Sequence, residues 1–141
     1  MEPEQPATTQ STTTSKTEAK IKLLTPEAKT PTRGTPQSVG YDVYSPRAQT
    51  LQPQMVTKVP LDITIVPPAG TYIQLMSRSG LSIKGITCHA GVIDPDYRGN
   101  ITALLYNSTD KPFPVKAGDR VAQLLFKQTR ARSDHSTIIH R

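Results

Sequence analysis

The chain has 141 residues, enough for one domain with a real core and too few for two. Thirteen prolines, eight glycines, no tryptophan and two phenylalanines leave Val, Ile and Leu to build that core and favour short strands over long helices. The net charge of +6 suits nucleic acid, a membrane surface, a polyphosphate or plain solvent and selects none of them, and no apolar run approaches the ~20 residues of a membrane helix.

Residues 1–20 carry Met1, Ala7 and Ala19 as their only apolar side chains besides proline, too little to offset the entropy of ordering. They are expected to form a disordered tail, of a kind that would suit a segment excised from a longer polyprotein. The N-terminus has no apolar signal stretch, and the single cysteine, Cys88, excludes an internal disulfide, so the chain is expected to be intracellular, not secreted. Cys88 itself reads as a small apolar residue, since no base stands out to activate it.

From Ile21 the pattern changes to short apolar runs separated by turn signals, and a domain is expected over 21–128. Pro26 to Gln37, with three prolines and a glycine, reads as loop or edge. Met55, Val59, Leu61, Ile63 and Ile65 occupy alternate positions, the mark of a strand with one buried face. Thr71 to Met76, Ile101 to Asn107 and Val121 to Phe126 follow as strands, the last two apolar on both faces and therefore central. The expected fold is all-β, an antiparallel jelly-roll-like β-sandwich. Residues 129–141 form a basic C-terminal segment: Gly118 is the last glycine and Phe126 the last Phe, Tyr or Trp of the chain. With no aromatic-basic platform beside that charge, no specific nucleic-acid binding is expected.

Four segments place glycine and polar residues directly against strands: Gly40-Tyr41-Asp42-Val43-Tyr44-Ser45, Ser77-Arg78-Ser79-Gly80-Leu81, Gly91 to Gly99 (GVIDPDYRG) and Gly118 to Leu124 (GDRVAQL). Each alone is no more than a turn. Asp94, just before a Pro-Asp turn in an expected hairpin, can project a carboxylate from a rigid strand end. Arg78-Ser79-Gly80 has the makings of an anion-binding nest. His89, His135 and His140 show no metal-ligand spacing, and Asp119 and Arg120 read as structural pairing groups.

In their order and spacing these segments resemble the first four of the five motifs of the trimeric dUTPases, which hydrolyse dUTP to dUMP and pyrophosphate, and the third matches almost throughout. The resemblance implies a homotrimer with active sites between subunits, and it extends to viral and retroelement members. It makes Asp94 the base that activates water. Gly91, Val92 and Ile93 become the backbone readers of uracil, and Tyr97 the ring beneath the deoxyribose. Arg78, Ser79 and Gly80, with Gln123, become phosphate ligands, and Asp42 a support for Mg²⁺ through water. Met76-Ser77 stand where the family usually has Ala-Pro, a change expected to loosen the approach to the phosphate turn. The family's fifth motif, a Gly-rich arm that closes over the nucleotide, has no counterpart in 129–141, which implies weak binding and slow turnover. A sister family that deaminates dCTP needs a glutamate where this chain has Leu104. Family-like domains also serve as non-catalytic trimeric modules for assembly or partner binding, the alternative to an enzyme.

Overall fold

The computed structural model describes residues 9–11 and 18–129. In chain order the strands are β1 (Thr9–Ser11), β2 (Lys20–Leu23), β3 (Tyr41–Tyr44), β4 (Gln49–Leu51), β5 (Met55–Pro60), β6 (Ile63–Val66), β7 (Thr71–Met76), β8 (Ile86–His89), β9 (Val92–Ile93), β10 (Thr102–Asn107), β11 (Phe113–Val115) and β12 (Arg120–Gln128). A single helical turn, α1 (Ser79–Ser82), interrupts them after β7. Four antiparallel sheets result, in the orders β1-β2-β6, β5-β10-β8, β11-β4 and β3-β12-β7-β9. The all-β expectation holds, and β10 and β12 are interior strands of their sheets as their two-sided apolar pattern requires.

The core lies between the sheets and is aliphatic: Val43, Leu51, Val59, Ile73, Leu105 and Leu124 are each at most 1% exposed. Burying each such side chain contributes about 1.5–3 kcal/mol, and no aromatic ring is needed.

The run from Met55 to Ile65 is not one strand. β5 pairs with β10 and β6 pairs with β2, so the chain changes sheets between Pro60 and Ile63. Pro60 has no N–H to extend the ladder, and Asp62 turns the corner with a left-handed backbone, φ 59. The alternation survives because Val59, Leu61, Ile63 and Ile65 all still point inward, whereas Met55, at the far end, is 53% exposed.

In the N-terminal stretch expected to stay unstructured, Thr9–Ser11 run antiparallel to Lys20–Lys22. Strand pairing is made by backbone groups, and here it covers an otherwise open edge of β2. The rest of 129–141 beyond Thr129 lies outside the described residues, as do His135 and His140. Pro26 to Gln37 is loop, tied to the domain by an isolated bridge between Thr32 and Asp42. Among the described residues no helix is long and apolar enough to cross a membrane.

Candidate functional site

β8 and β10 pair as the arms of a hairpin, and the segment of interest is their long connection. It leaves β8 through Ala90, detours to add β9 to the edge of a different sheet, and returns to β10. The expected hairpin is therefore present, but Asp94 sits in its excursion and not at a tight turn between paired strands.

Gly91 makes the detour possible. Its carbonyl accepts the Leu75 N–H at 2.8 Å, and a methyl group on it would overlap the Leu75 backbone. Val92 and Ile93 then pair with Gln74 and Ile73 of β7. β9 is an edge strand, so its backbone groups facing away from β7 are not used by the sheet. Ile93 packs on the core while Val92 is 65% exposed.

β9 ends at Ile93, and Asp94 leads into the turn at Pro95, which has no N–H to extend the ladder. The Tyr97 N–H closes the turn on the Asp94 carbonyl at 3.1 Å, and Arg98 Nη1 donates to the carbonyls of Pro95 and Tyr97 at 2.6 and 3.0 Å. The Asp94 carboxylate is exposed, with no hydrogen-bond partner among the described residues, and is free to hold water. Together Gly91, Val92, Ile93, Asp94 and Tyr97 line one cleft of about 910 Å³, with Leu104 and Lys58 on its wall. That volume suits a small-molecule ligand.

A second cluster gathers the remaining candidates. Asp42 on β3, Gln123 on β12 and Met76 on β7 are cross-strand partners in one row of the sheet. Asp42 Oδ1 accepts Arg78 Nε at 3.2 Å, and Arg120 Nη1 stands 3.7 Å from Oδ2. Gln123 Nε2 donates to the Ser77 carbonyl at 3.0 Å, its amide seated where a side chain on Gly40 would otherwise stand. Arg78 leads into α1, and the first N–H groups of any helical turn have no partner inside it. The Ser77 hydroxyl accepts the Cys88 N–H at 2.8 Å. Far from loosening the approach to the turn, Ser77 pins it to β8 and to β12.

None of Asp42, Arg78, Ser79, Gly80 and Gln123 lines the cleft that holds Asp94. The candidate residues of one chain therefore fall into two separate groups. Arg120 pairs with Asp42, as a structural group would, but Asp119 caps its own turn through Oδ2 on the Lys116 N–H at 2.8 Å. Burial pushes the half-buried Cys88 thiol up, away from a nucleophilic thiolate. His89 rests against the Tyr106 ring, 5.0 Å between centroids.

Sequence reasoning missed Asp62. It is 5% exposed and bonded to Asn100, Arg47 and Thr25 beneath the returning segment. Burial alone would raise its carboxyl, but the hydrogen bonds from Asn100, Arg47 and Thr25 and the Arg47 charge outweigh it and hold the group below the usual range. The signal was a lone acid within the apolar run VPLDITIV.

These features define an antiparallel β-sandwich with a backbone-lined cleft beneath an exposed carboxylate and a separate cationic row. The family model for dUTPase matches residues 26–140. The chain is 46% identical over 110 residues to the deoxyuridine 5′-triphosphate nucleotidohydrolase of Candida albicans, covering 77% of this chain and 69% of that one. It is 44% identical over 104 residues to the enzyme of the same name from Variola virus, covering 74% and 71%. Among solved structures, a mutant dUTPase of Staphylococcus aureus phage phi11, described with a structural Mg(II) ion, superposes with a TM-score of 0.76 over 82% of this chain and 93% of that one, at 24% identity. The chain belongs to the dUTPase family.

Proposed function

We propose that the chain hydrolyses dUTP to dUMP and pyrophosphate as a homotrimer inside the cell, each site combining the Asp94 cleft of one subunit with the cationic row of another. The observation that carries this reading is the meeting of Asp94, Tyr97 and the open edge of β9 in one cleft. The reaction breaks the bridge between the α and β phosphates, water supplying the new oxygen. Asp94 holds that water and takes its proton, a role that its exposed, unengaged carboxylate allows. Backbone groups of Gly91, Val92 and Ile93 offer the donor and acceptor pattern for a uracil edge, and Tyr97 forms the floor under the deoxyribose.

Arg78, Ser79, Gly80 and Gln123 receive the triphosphate. The Arg78 fork is oriented by Asp42, leaving its remaining N–H groups for phosphate oxygens. Among the described residues no three His, Cys, Asp or Glu side chains gather as a metal cage. Asp42, flanked by two guanidinium groups, fits a hydrated Mg²⁺ through water rather than by a direct bond. When bound with the triphosphate, the ion supplies charge neutralisation. Leu104 lines the cleft where a deaminase would need an acid, and leucine cannot carry a proton.

Pyrophosphate release measured with dUTP, dCTP, dTTP and UTP tests the reading. Release from dUTP alone is expected. Equal release from all four, or none from dUTP, would sink it.

A further inference from the structure

A buried carboxylate that the reaction never touches lies beneath the cleft. Asp62 stands at the corner where the chain changes sheets, with a left-handed backbone that Asp and Asn accept more readily than other side chains. Asn100 Nδ2 donates to Asp62 Oδ1 at 2.9 Å, and the Asp62 N–H donates back to Asn100 Oδ1 at 2.8 Å. Both polar atoms of the Asn100 side chain are thus clamped by one residue. Thr25 Oγ1 and Arg47 Nη2 donate to the other Asp62 oxygen at 3.0 and 2.6 Å and fix the clamp itself.

The clamp leads to the cleft. The Asn100 carbonyl accepts the Tyr97 hydroxyl at 2.9 Å, and the Tyr97 phenol lies so close over Gly99 that a methyl there would overlap it. Tyr97 is 44% exposed and lies outside the core cluster, so its ring angle depends on these two neighbours.

We infer that Asp62 is a positioning residue for sugar recognition: by clamping Asn100 it fixes the hydroxyl, and so the ring plane, of Tyr97. This rests on the reading of Tyr97 as the floor that leaves no room for a 2′-hydroxyl. An opened clamp lets the ring shift and admit a ribonucleotide, while Asp94, on the far side of the Pro95 turn, keeps its place.

Asp62→Asn tests this, because it keeps shape and backbone but sets an amide N–H₂ against groups that donate. The ratio of kcat/KM for dUTP over UTP is expected to fall on the order of tenfold, with kcat on dUTP changed by no more than about twofold. Arg47→Met removes the half-exposed outer arm but leaves Asn100 clamped, so it should lower Tm without moving the ratio. Tyr97→Phe lacks the hydroxyl, and adding Asp62→Asn to it should change the ratio no further. An unchanged ratio in folded Asp62→Asn, or full additivity with Tyr97→Phe, overturns the inference. Should Asp62→Asn not fold, Asn100→Ser opens the clamp from the other side and is read by the same ratio. Should the unmodified chain release no pyrophosphate from dUTP, the hydrolase reading fails, and hydrogen exchange over residues 94–101 decides the positioning alone. Faster exchange in Asp62→Asn than in Arg47→Met supports the clamp; equal exchange overturns it.

Discussion

Asp94, in the cleft, and Asp62, buried beneath it, show how differently two carboxylates can be used. Asp94 is exposed and unengaged, so Asp94→Asn removes the proposed base without disturbing packing. Turnover of dUTP should drop by about 10²-fold or more while Tm moves by no more than about a degree; unchanged turnover would remove Asp94 from the chemistry. Asp62 is the reverse, a buried group whose charge is held by partners. Its carboxyl is depressed on folding, so its contribution is present above the unfolded value, near about 3.9, and is lost as pH falls through the folded one. Urea midpoints of the unmodified chain and of Asp62→Asn should therefore differ at pH 7 and converge as pH drops below about 4. A gap that stayed constant over that range would show that the charge does not matter. Asp94, Tyr97 and the Gly91 turn were legible because their residue types and spacing form a contiguous signature. Asp62 was not, since its partners Arg47 and Asn100 lie far away in the chain and only the folded corner brings them together.

At the scale of elements, alternation of apolar residues placed most strands but could not show where a strand changes partner. Val59 through Ile65 keep the same inward rhythm on both sides of the corner at Asp62, so the sequence pattern is continuous although the hydrogen bonding is not. The N-terminal stretch shows the opposite limit: Thr9–Ser11 pair through backbone groups that composition cannot register. The edge of the domain is best tested by two truncations. Of the described residues, removing 1–17 takes away just the outer strand beside β2, and Tm should shift by no more than about two degrees. Removing residues 1–24 also deletes β2, the partner of β6, and uncovers Ile63 and Ile65, each 1% exposed. Losing that cover should lower Tm by about ten degrees or abolish folding. Similar melting of the two truncated chains would place β2 outside the cooperative unit.

At the scale of the whole molecule, the decisive feature is that the candidate site residues of one chain fall into two groups that share no cleft. The Asp94 cleft opens at the returning segment beside β9, while Arg78 is held by Asp42 of β3 and Gln123 of β12 is held by the Ser77 carbonyl just after β7. Bringing them together inside one subunit would require tearing β9 from β7, which breaks backbone hydrogen bonds of the sheet, or unpinning Ser77 from β8, which breaks the bond from the Cys88 N–H to the Ser77 hydroxyl. Assembly meets the same need without deformation, because a cyclic trimer sets one surface of each chain against a different surface of the next. The arrangement predicts complementation. Asp94→Asn lacks the proposed base and Arg78→Ala the proposed phosphate clamp, so each variant alone, assembled as the proposed trimer, should be nearly inactive. Dissociated, mixed in equal amounts and reassembled, they should regain roughly a quarter of full activity, the share of sites that draw an intact cleft from one variant and an intact row from the other. Restoration requires that subunits exchange, which light scattering and a tagged copy would monitor. Sites built within single chains would give no recovery at any mixing ratio, since every site would then carry one lesion or the other.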